Sequence, residues 1–235
     1  MKTIAMTLML SLLIMIGQAG CSSKQEAGDT AVKKTESAKM TVEQKGWYEA
    51  EGGRDSLETK RHPIRDENNQ FVTIVTDFGS MTLELYRDVA PAHADSFMAR
   101  TVDGFYDSLL FFRIIDNFMI QGGDPNNNGS GNAGYFLQAE FSKLPHKDGT
   151  LSMARAAAPN SASCQFYICL GRARTKGLDR QYTVFGQLLK GYDVLHKIGS
   201  VEVKPNPRGE RSMPKEPVCM TEVYLSDPVG NRIGE

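Results

Sequence analysis

Eight short runs of β-branched and aromatic residues, separated by turn signals, restrict the fold of this chain more than any other property of its sequence. The first two, FVTIVT and MTLELY, follow Gln70, have alternating patterns and flank the hairpin signal DFGS. The others are LLFFRII, FMIQ, GTLSMARA, SCQFYICL, YTVFGQLL and VCMTEVYLS. Many short strands in one chain predict an all-β barrel or sandwich.

Two segments have the helical period instead. In VAPAHADSFMARTVDGFY, Pro91 suits a first helical turn, apolar residues recur every three or four positions, and Gly104 is placed to end the helix. The segment GYDVLHKIG predicts a second, shorter helix that ends at Gly199. The expected fold class is therefore all-β with two helices.

The segments between these elements are rich in turn residues and predict loops. The longest is GGDPNNNGSGNAGYF, and residues 204–217, KPNPRGERSMPKEP, are a second one. The glycine-rich loop lacks a Gly-Lys pair followed by Ser or Thr, and no helical pattern follows it. These absences exclude a phosphate-binding P-loop.

The N-terminal segment has the pattern of an export signal. Lys2 is followed by an apolar run over residues 4–16, which is shorter than the about 20 residues a spanning helix needs. The sequence Ala19-Gly20-Cys21 is similar to a bacterial lipobox and predicts cleavage before Cys21 and lipidation of its thiol. Because Gln18 replaces the usual aliphatic residue, a plain signal peptide or an uncleaved anchor remains an alternative.

The next segment is charged and poor in aliphatic residues, so it predicts a flexible tether. The expected organisation is a signal peptide at 1–20, a lipidated Cys21 with a tether over 21–69, a folded domain over 70–228 and a tail over 229–235. A lipid anchor on Cys21 places the protein at the cell envelope, at the outer membrane and periplasm or at the cell surface.

The charged and metal-binding side chains exclude several classes of function. The chain has 27 basic and 28 acidic side chains, which gives no basic field for nucleic acid. The four histidines lack metal-ligand spacing, so no metal or other cofactor is expected. Cys164 and Cys169 lie five positions apart on one predicted strand, too far apart for a disulfide, and we interpret them as packed thiols.

An arginine lies inside an apolar strand in the segment FFRIIDNFMIQGGDP, residues 111–125. Taken alone, Arg113 fits a surface ion pair. Strand alternation would place Phe112 and Ile114 on one face, and Phe111, Arg113 and Ile115 on the other. In that register Phe112 faces the interior of the sheet.

Three segments together resemble the signature segments of cyclophilins, the peptidyl-prolyl cis/trans isomerases. They are FFRIIDNFMIQGGDP, GTLSMARAAAPNSASCQFYICL and GLDRQYTVFGQLLKGYDVL. The similarity extends over about residues 71–226, and the sequence from SMAR to PNSAS resembles the bacterial branch of the family. The resemblance implies a closed eight-stranded antiparallel barrel capped by a helix at each end. It also implies that Arg113 points into a shallow groove.

The resemblance assigns roles to residues by position. The catalytic group would comprise Arg113, Gln121 and Phe118, with Gln121 orienting Arg113. The residues that would hold the peptide and its proline ring are Met119, Ala154, Arg155, Gln165, Tyr167, Leu178 and Tyr182.

Three residues depart from the family pattern. Phe112 stands where relatives have histidine, and Tyr167 replaces a phenylalanine, so its hydroxyl needs a partner. Gly177 lies near the position of a tryptophan in cyclosporin-binding members. We therefore expect weak cyclosporin binding together with isomerase activity.

Two functions remain open at this point. The first is an isomerase, EC 5.2.1.8, that accelerates X-Pro isomerisation in exported proteins and so assists their folding. The second is a non-catalytic module that binds proline peptides, or a chaperone, at the cell envelope. The expected partners are proline-containing polypeptides, and the expected state is a monomer.

Overall fold

The computed structural model describes residues 70–233, and two helices and ten strands form this part of the chain. The strands are β1 Gln70–Thr76, β2 Gly79–Leu85, β3 Arg113–Ile115, β4 Met119–Gly122, β5 Thr150–Met153, β6 Phe166–Cys169, β7 Val184–Lys190, β8 Val203–Pro205, β9 Arg211–Pro214 and β10 Met220–Ser226. The helices are α1 Pro91–Val102 and α2 Tyr192–Gly199, and Lys176–Leu178 form one 3₁₀ turn. The predicted signal peptide, the lipidation site Cys21 and the tether lie outside the described residues.

Eight of the strands form one curled antiparallel sheet. Its order is β10-β1-β2-β7-β5-β6-β4-β3, and every neighbouring pair is antiparallel. Each strand of this sheet corresponds to one of the eight β-rich runs of the sequence. The predicted eight-stranded antiparallel sheet and the two helices are therefore confirmed.

The sheet is a half-barrel, and the prediction of a closed barrel is wrong. No ladder pairs the two edge strands β3 and β10. The chain just before β3 meets the start of β10 through an isolated bridge between Leu110 and Cys219 and through backbone hydrogen bonds of 2.8–2.9 Å between residues 108–111 and 218–220. The contact between the two edges therefore lies before β3 begins, and β3 itself, with three residues, forms no ladder with β10. A helix over each end of a barrel stays a prediction.

A hairpin occupies much of the segment that was predicted to be a loop. Strands β8 and β9 pair as a separate two-stranded sheet. Their turn is held by Asn206, whose Oδ1 accepts the N–H groups of Arg208 and Glu210 over 2.9 and 3.1 Å. Pro205 and Pro214 favoured the prediction of a loop. Each is the last residue of its strand, where the missing N–H of proline removes few hydrogen bonds from the ladder.

The core covers one face of the sheet and fixes the first helix on it. Phe97 of α1 packs in a T-shaped geometry on Phe166 of β6, with ring centroids 5.2 Å apart, and also contacts Tyr106 and Phe185. Gly104, with φ of +66°, ends this helix: its N–H donates to the carbonyl of Thr101, a bond of the Schellman motif. Burial of these rings supplies much of the hydrophobic stabilisation of the domain.

Strand alternation separates this core from a second, smaller apolar cluster. In β4, Ile120 belongs to the main core, whereas Met119 belongs to the second cluster. In β6, Ile168 lies in the main core, while Tyr167 and Cys169 join Met119. Side chains at successive positions point to opposite faces, so the central strands carry a core on one side and a site on the other.

Candidate active site

Arg113 is the first residue of β3, and its backbone pairs in register with Gln121 of β4. Its side chain is 30% exposed. The Nη1 atom donates to Gln121 Oε1 over 3.1 Å and lies 3.9 Å from the sulfur of Met119. The strand pairing therefore places the guanidinium beside the second apolar cluster and gives it a fixed amide partner.

The amide of Gln121 continues a chain of hydrogen bonds across the sheet. Its Nε2 donates to Gln165 Oε1 over 3.0 Å, and Gln165 Nε2 donates to the carbonyl of Gly131 over 2.9 Å. Each amide has both a donor and an acceptor engaged, which fixes its orientation. Through this chain the glycine-rich loop is connected to Arg113.

Glu210 binds the other edge of the Arg113 guanidinium. Arg113 Nε donates to Glu210 Oε2 over 2.7 Å, and Nη2 donates to Oε1 over 2.8 Å. This bidentate pair is the strong form of an arginine–carboxylate contact. The hydrogen bond from Arg113 lowers the pKa of Glu210 to about 2, so the carboxylate is ionised at neutral pH.

Glu210 was not among the site residues predicted from the sequence. It lies 97 positions after Arg113, in a segment read as a loop, and reaches the site because the β8–β9 hairpin packs beside β3. An acidic residue in a proline-rich segment carries no periodic signal. Only the tertiary contact identifies it.

A cluster of apolar side chains, called the slot from here on, lies next to the arginine. Its buried members, the floor, are Met119, Tyr167 and Cys169. Its partly buried members, the walls, are Ile115, Phe118, Ala154, Leu178 and Tyr182. The structure thus brings together the predicted residues Phe118, Met119, Ala154, Tyr167, Leu178 and Tyr182.

The hydroxyl of Tyr167 has a partner beneath the slot. It lies 3.2 Å from Nε2 of His146, whose Nδ1 lies 3.2 Å from Asp179 Oδ1. Burial raises the pKa of Tyr167 well above its usual value, and burial lowers the pKa of His146. Both groups are therefore neutral at pH 7. Sequence reasoning did not assign His146 to the site.

Arg155 lies along the rim of the slot. Its Nη1 donates to the carbonyls of Ala156 and Ala157, each over 2.9 Å, and its Nε donates to Gln181 O over 3.0 Å. The guanidinium carbon lies 4.6 Å from the centroid of the Tyr182 ring, within cation–π range. These contacts hold the rim in one arrangement and orient the ring of Tyr182.

A groove of about 990 Å³ extends from Arg113 past the glycine-rich loop. Its lining includes the predicted residues Arg113, Gln121, Ala154, Arg155 and Gln165, together with Glu210 and Phe112. Arg113 lines this groove and also lies beside Met119 of the slot, so an extended peptide in the groove passes the guanidinium.

The predicted orientation of Phe112 is wrong. Phe111 is fully buried in the main core, whereas Phe112 lines the groove. Alternation holds only inside a regular strand, and β3 begins at Arg113, after both phenylalanines. Phe112 therefore contributes an aromatic surface beside the arginine rather than core packing.

The cysteines and histidines of residues 70–233 form no metal site. No group of three or more His, Cys, Asp or Glu side chains in this range is arranged to hold an ion. Cys164 and Cys169 are free and buried, as predicted. No helix in the same range is long and apolar enough to cross a membrane.

Comparison with known proteins gives a consistent result. The family described as "Cyclophilin type peptidyl-prolyl cis-trans isomerase/CLD" matches residues 71–224. A peptidyl-prolyl cis-trans isomerase of Acinetobacter baylyi is 35% identical over 67% of this chain and 86% of its own length. The peptidyl-prolyl cis-trans isomerase-like 1 of Neurospora crassa is 39% identical over 58% of this chain and 85% of its own length.

Solved structures agree with these relatives. A cyclophilin-type isomerase of Cryptosporidium parvum, crystallised in the presence of the dipeptide Ala-Pro, matches with a TM-score of 0.62 and 27% identity. The match covers 67% of this chain and 99% of that one. The chain belongs to the family of cyclophilin-type peptidyl-prolyl cis-trans isomerases, EC 5.2.1.8.

Proposed function

We propose that the chain isomerises X-Pro bonds of exported proteins, with Arg113 as the donor that stabilises the twisted bond. The observation that carries this proposal is the guanidinium held by Glu210 and Gln121 next to the slot of Phe118, Met119 and Tyr167. The slot has apolar walls that suit a proline ring, and the arginine lies at its edge.

The chemistry requires only rotation about one bond. A peptide bond resists rotation with a barrier of about 18–20 kcal/mol, because the nitrogen lone pair is delocalised. When the bond is half turned, conjugation is lost and the prolyl nitrogen becomes an acceptor. A donor aimed at that nitrogen stabilises the twisted form more than the planar one, which lowers the barrier.

Arg113 has donors left for this task. Glu210 takes the Nε hydrogen and one hydrogen of Nη2, and Gln121 takes one of Nη1. Among residues 70–233, the second Nη1 hydrogen has only the thioether of Met119, a weak acceptor, and the second Nη2 hydrogen has no hydrogen-bond partner. The planar guanidinium of Arg113, called the fork from here on, is held at two edges, and its remaining donors are available to a peptide.

The other predicted residues would hold the substrate around the reacting bond. Gln121 and Gln165 present amide groups to a peptide backbone, and Ala154 and Arg155 line its path. The slot would bind the proline ring, and the groove beside Phe112 would bind the preceding residues. Such contacts extend over a few residues around one proline, so we propose broad substrate selectivity.

We further propose that the protein acts as a monomer at the cell envelope, anchored by lipid on Cys21. The support is the sequence of residues 1–21, which combines a positive charge, an apolar run and a lipobox-like cleavage site. Metabolic labelling with a radioactive fatty acid tests it. Label in the wild type and none in Cys21→Ser is expected, and equal labelling of both would refute the anchor.

An isomerase assay with the Arg113→Ala variant tests the activity. Wild-type protein is expected to accelerate isomerisation of a proline tetrapeptide, and Arg113→Ala to lose about 10²–10³ in kcat/KM, the effect of one preorganised donor. Arg87→Ala is the matched control, since Arg87 forms a surface ion pair with Asp95. Equal rates for wild type and Arg113→Ala would refute the mechanism. A wild type that binds the peptide without accelerating its exchange would identify a non-catalytic binder.

A further inference from the structure

A buried histidine connects the floor and one wall of the slot. His146 is fully buried, and its ring stacks near that of Tyr167 with centroids 6.1 Å apart. Its Nε2 reaches the hydroxyl of Tyr167 in the floor, and its Nδ1 reaches Asp179, which directly follows the wall residue Leu178. His146 touches both sides of the slot from behind.

The hydrogen bonds around His146 define which atom carries the proton. Asp179 is ionised, because bonds from Arg172 and His146 outweigh the effect of burial and lower its pKa to about 2. Nδ1 therefore donates to Asp179, and Nε2 of the neutral ring is an acceptor. Ser152 Oγ, 3.1 Å from Nε2, donates instead to Thr183 O over 2.8 Å. The hydroxyl left to donate to Nε2 is that of Tyr167.

The backbone of His146 is held as firmly as its ring. Its N–H donates to Asp179 Oδ1 over 2.9 Å. Its carbonyl accepts from Arg172 Nη1 over 2.9 Å and from Thr175 Oγ1 over 2.7 Å. The chain that forms the wall thus wraps around His146, and the ring of His146 in turn holds the floor.

We infer that His146 is a positioning residue, which fixes the Tyr167 ring and the Leu178 wall at the spacing that holds a proline ring. The inference rests on the proposed function, since it concerns the same slot. His146 is fully buried and acts through the hydroxyl of Tyr167, a group that phenylalanine lacks. Replacement of phenylalanine by tyrosine at this position therefore does not add a polar group to the slot, because the hydroxyl is used below it.

The slot should bind the proline ring equally well whether the X-Pro bond is planar or twisted. Loss of His146 should therefore weaken the affinity for the peptide. We expect His146→Asn to raise the Kd of an Ala-Pro tetrapeptide about 3–10-fold, the loss typical of one neutral hydrogen bond. The exchange rate of the bound peptide should stay within about twofold. Both quantities come from one NMR exchange titration, which needs no coupling protease.

A double-mutant comparison separates positioning from general packing. In a Tyr167→Phe background there is no hydroxyl for His146 to hold, and the amide of Asn can still donate to Asp179 in place of Nδ1. Adding His146→Asn should therefore change Kd by less than about twofold. His196→Asn is the matched control, since His196 is exposed on α2 and bonds Asp148. An unchanged Kd for His146→Asn, or the same loss in both backgrounds, would overturn the inference.

The pH dependence provides a second readout, which holds even if His146→Asn does not fold. The groups that face the ring are Asp179 and Arg172 from the loop after β6, Tyr167 from β6 and Ser152 from β5, and Lys147 and Asp148 follow His146 in the sequence. Burial lowers the pKa of His146 below 6.5. When His146 is protonated in acid, Nε2 becomes a donor and can no longer accept the hydrogen bond from the Tyr167 hydroxyl.

Wild-type Kd should therefore rise as the pH falls through the lowered pKa of His146, whereas Tyr167→Phe should give a flat profile. Identical profiles for the two proteins would overturn the inference. A wild type that binds the peptide without speeding its exchange would refute only the proposed activity, because the Kd comparisons still decide the role of His146.

Discussion

The guanidinium of Arg113 and the carboxylate of Glu210 share two hydrogen bonds, of 2.7 and 2.8 Å, across 97 residues of sequence. Two parallel bonds fix the plane of the fork as well as its position. A transition-state donor needs both, because its hydrogen must point at a nitrogen that accepts only while the bond is twisted. We therefore interpret the β8–β9 hairpin as part of the active site.

Replacing Glu210 by Gln should lower kcat/KM about tenfold. The amide can accept only one of the two arginine hydrogens, so the fork gains freedom to rotate, and misplacement of a catalytic group costs rate. Isomerase assays on the purified variant measure the effect. Glu202→Gln is the matched control, since Glu202 pairs with Lys215 just before the same hairpin. Activity equal to or above wild type in Glu210→Gln would show that the carboxylate restrains Arg113 instead of orienting it.

The pair of Arg113 and Glu210 should make the free energy of unfolding depend on pH. The pKa of Glu210 is about 2 in the folded protein against 4.5 for the free side chain, so its contribution is complete above pH 4.5 and is lost as the pH falls toward 2. Because the carboxylate side chain is 40% exposed, the contribution is small, below about 1 kcal/mol. Urea unfolding of wild type and Glu210→Gln at pH 7 and pH 2.5 should show a difference at pH 7 that shrinks at pH 2.5. A constant difference would contradict it.

Much of the site could be predicted from sequence because its members lie on paired strands. Arg113 pairs with Gln121, and Gln121 pairs with Tyr167, so two separate motifs converge through ladder register. The slot residues Phe118 and Leu178 lie beside these strands, and the resemblance to the family's signature segments selected them. Period-two patterns predicted the strands, since they depend only on which face is buried, whereas the eight-stranded antiparallel arrangement was predicted from the resemblance.

The features that sequence reasoning missed all depend on where regular geometry stops. Phe112 lies one residue before β3, so alternation did not apply to it. The half-barrel stays open because β3 forms no ladder with β10. Glu210 and His146 join the site through tertiary contacts from a hairpin and a loop, where no periodic pattern exists. The partner of the Tyr167 hydroxyl was required by physical chemistry, but its identity needed coordinates.

Gln121 should matter less than Arg113, and its effect should depend on Glu210. Gln121→Leu removes the acceptor of Nη1 and the donor to Gln165, while Glu210 still holds the other edge of the fork. We expect a loss of about tenfold in kcat/KM, within the range for misplacing a catalytic group. The double variant with Glu210→Gln should approach Arg113→Ala, because both restraints are then gone.

Gln181→Leu is the control for this change, since the Gln181 side chain is exposed and bonds only the carbonyl of Gly177. Assays of the four proteins give the coupling between the two restraints directly. A double variant that loses no more activity than either single variant, and so stays far more active than Arg113→Ala, would show that other contacts hold the guanidinium.

Cyclosporin binding should be weak in this chain and should be recoverable at one position. Gly177 lies in the 3₁₀ turn beside the slot residue Leu178, and a Cβ added there would meet no atom within 4 Å. The position is open, and the resemblance to cyclophilins places it near a tryptophan of cyclosporin-binding members. Gly177→Trp should raise cyclosporin affinity at least about tenfold, since a buried aromatic anchor commonly contributes 2 kcal/mol or more to an interface.

Isothermal titration calorimetry measures the cyclosporin affinity of both the wild type and Gly177→Trp. Gly177→Ala is the control, because it alters the backbone without adding a ring, and it should bind as weakly as wild type. Tight binding by the wild type would mean that the slot and Arg113 hold the ligand without this wall.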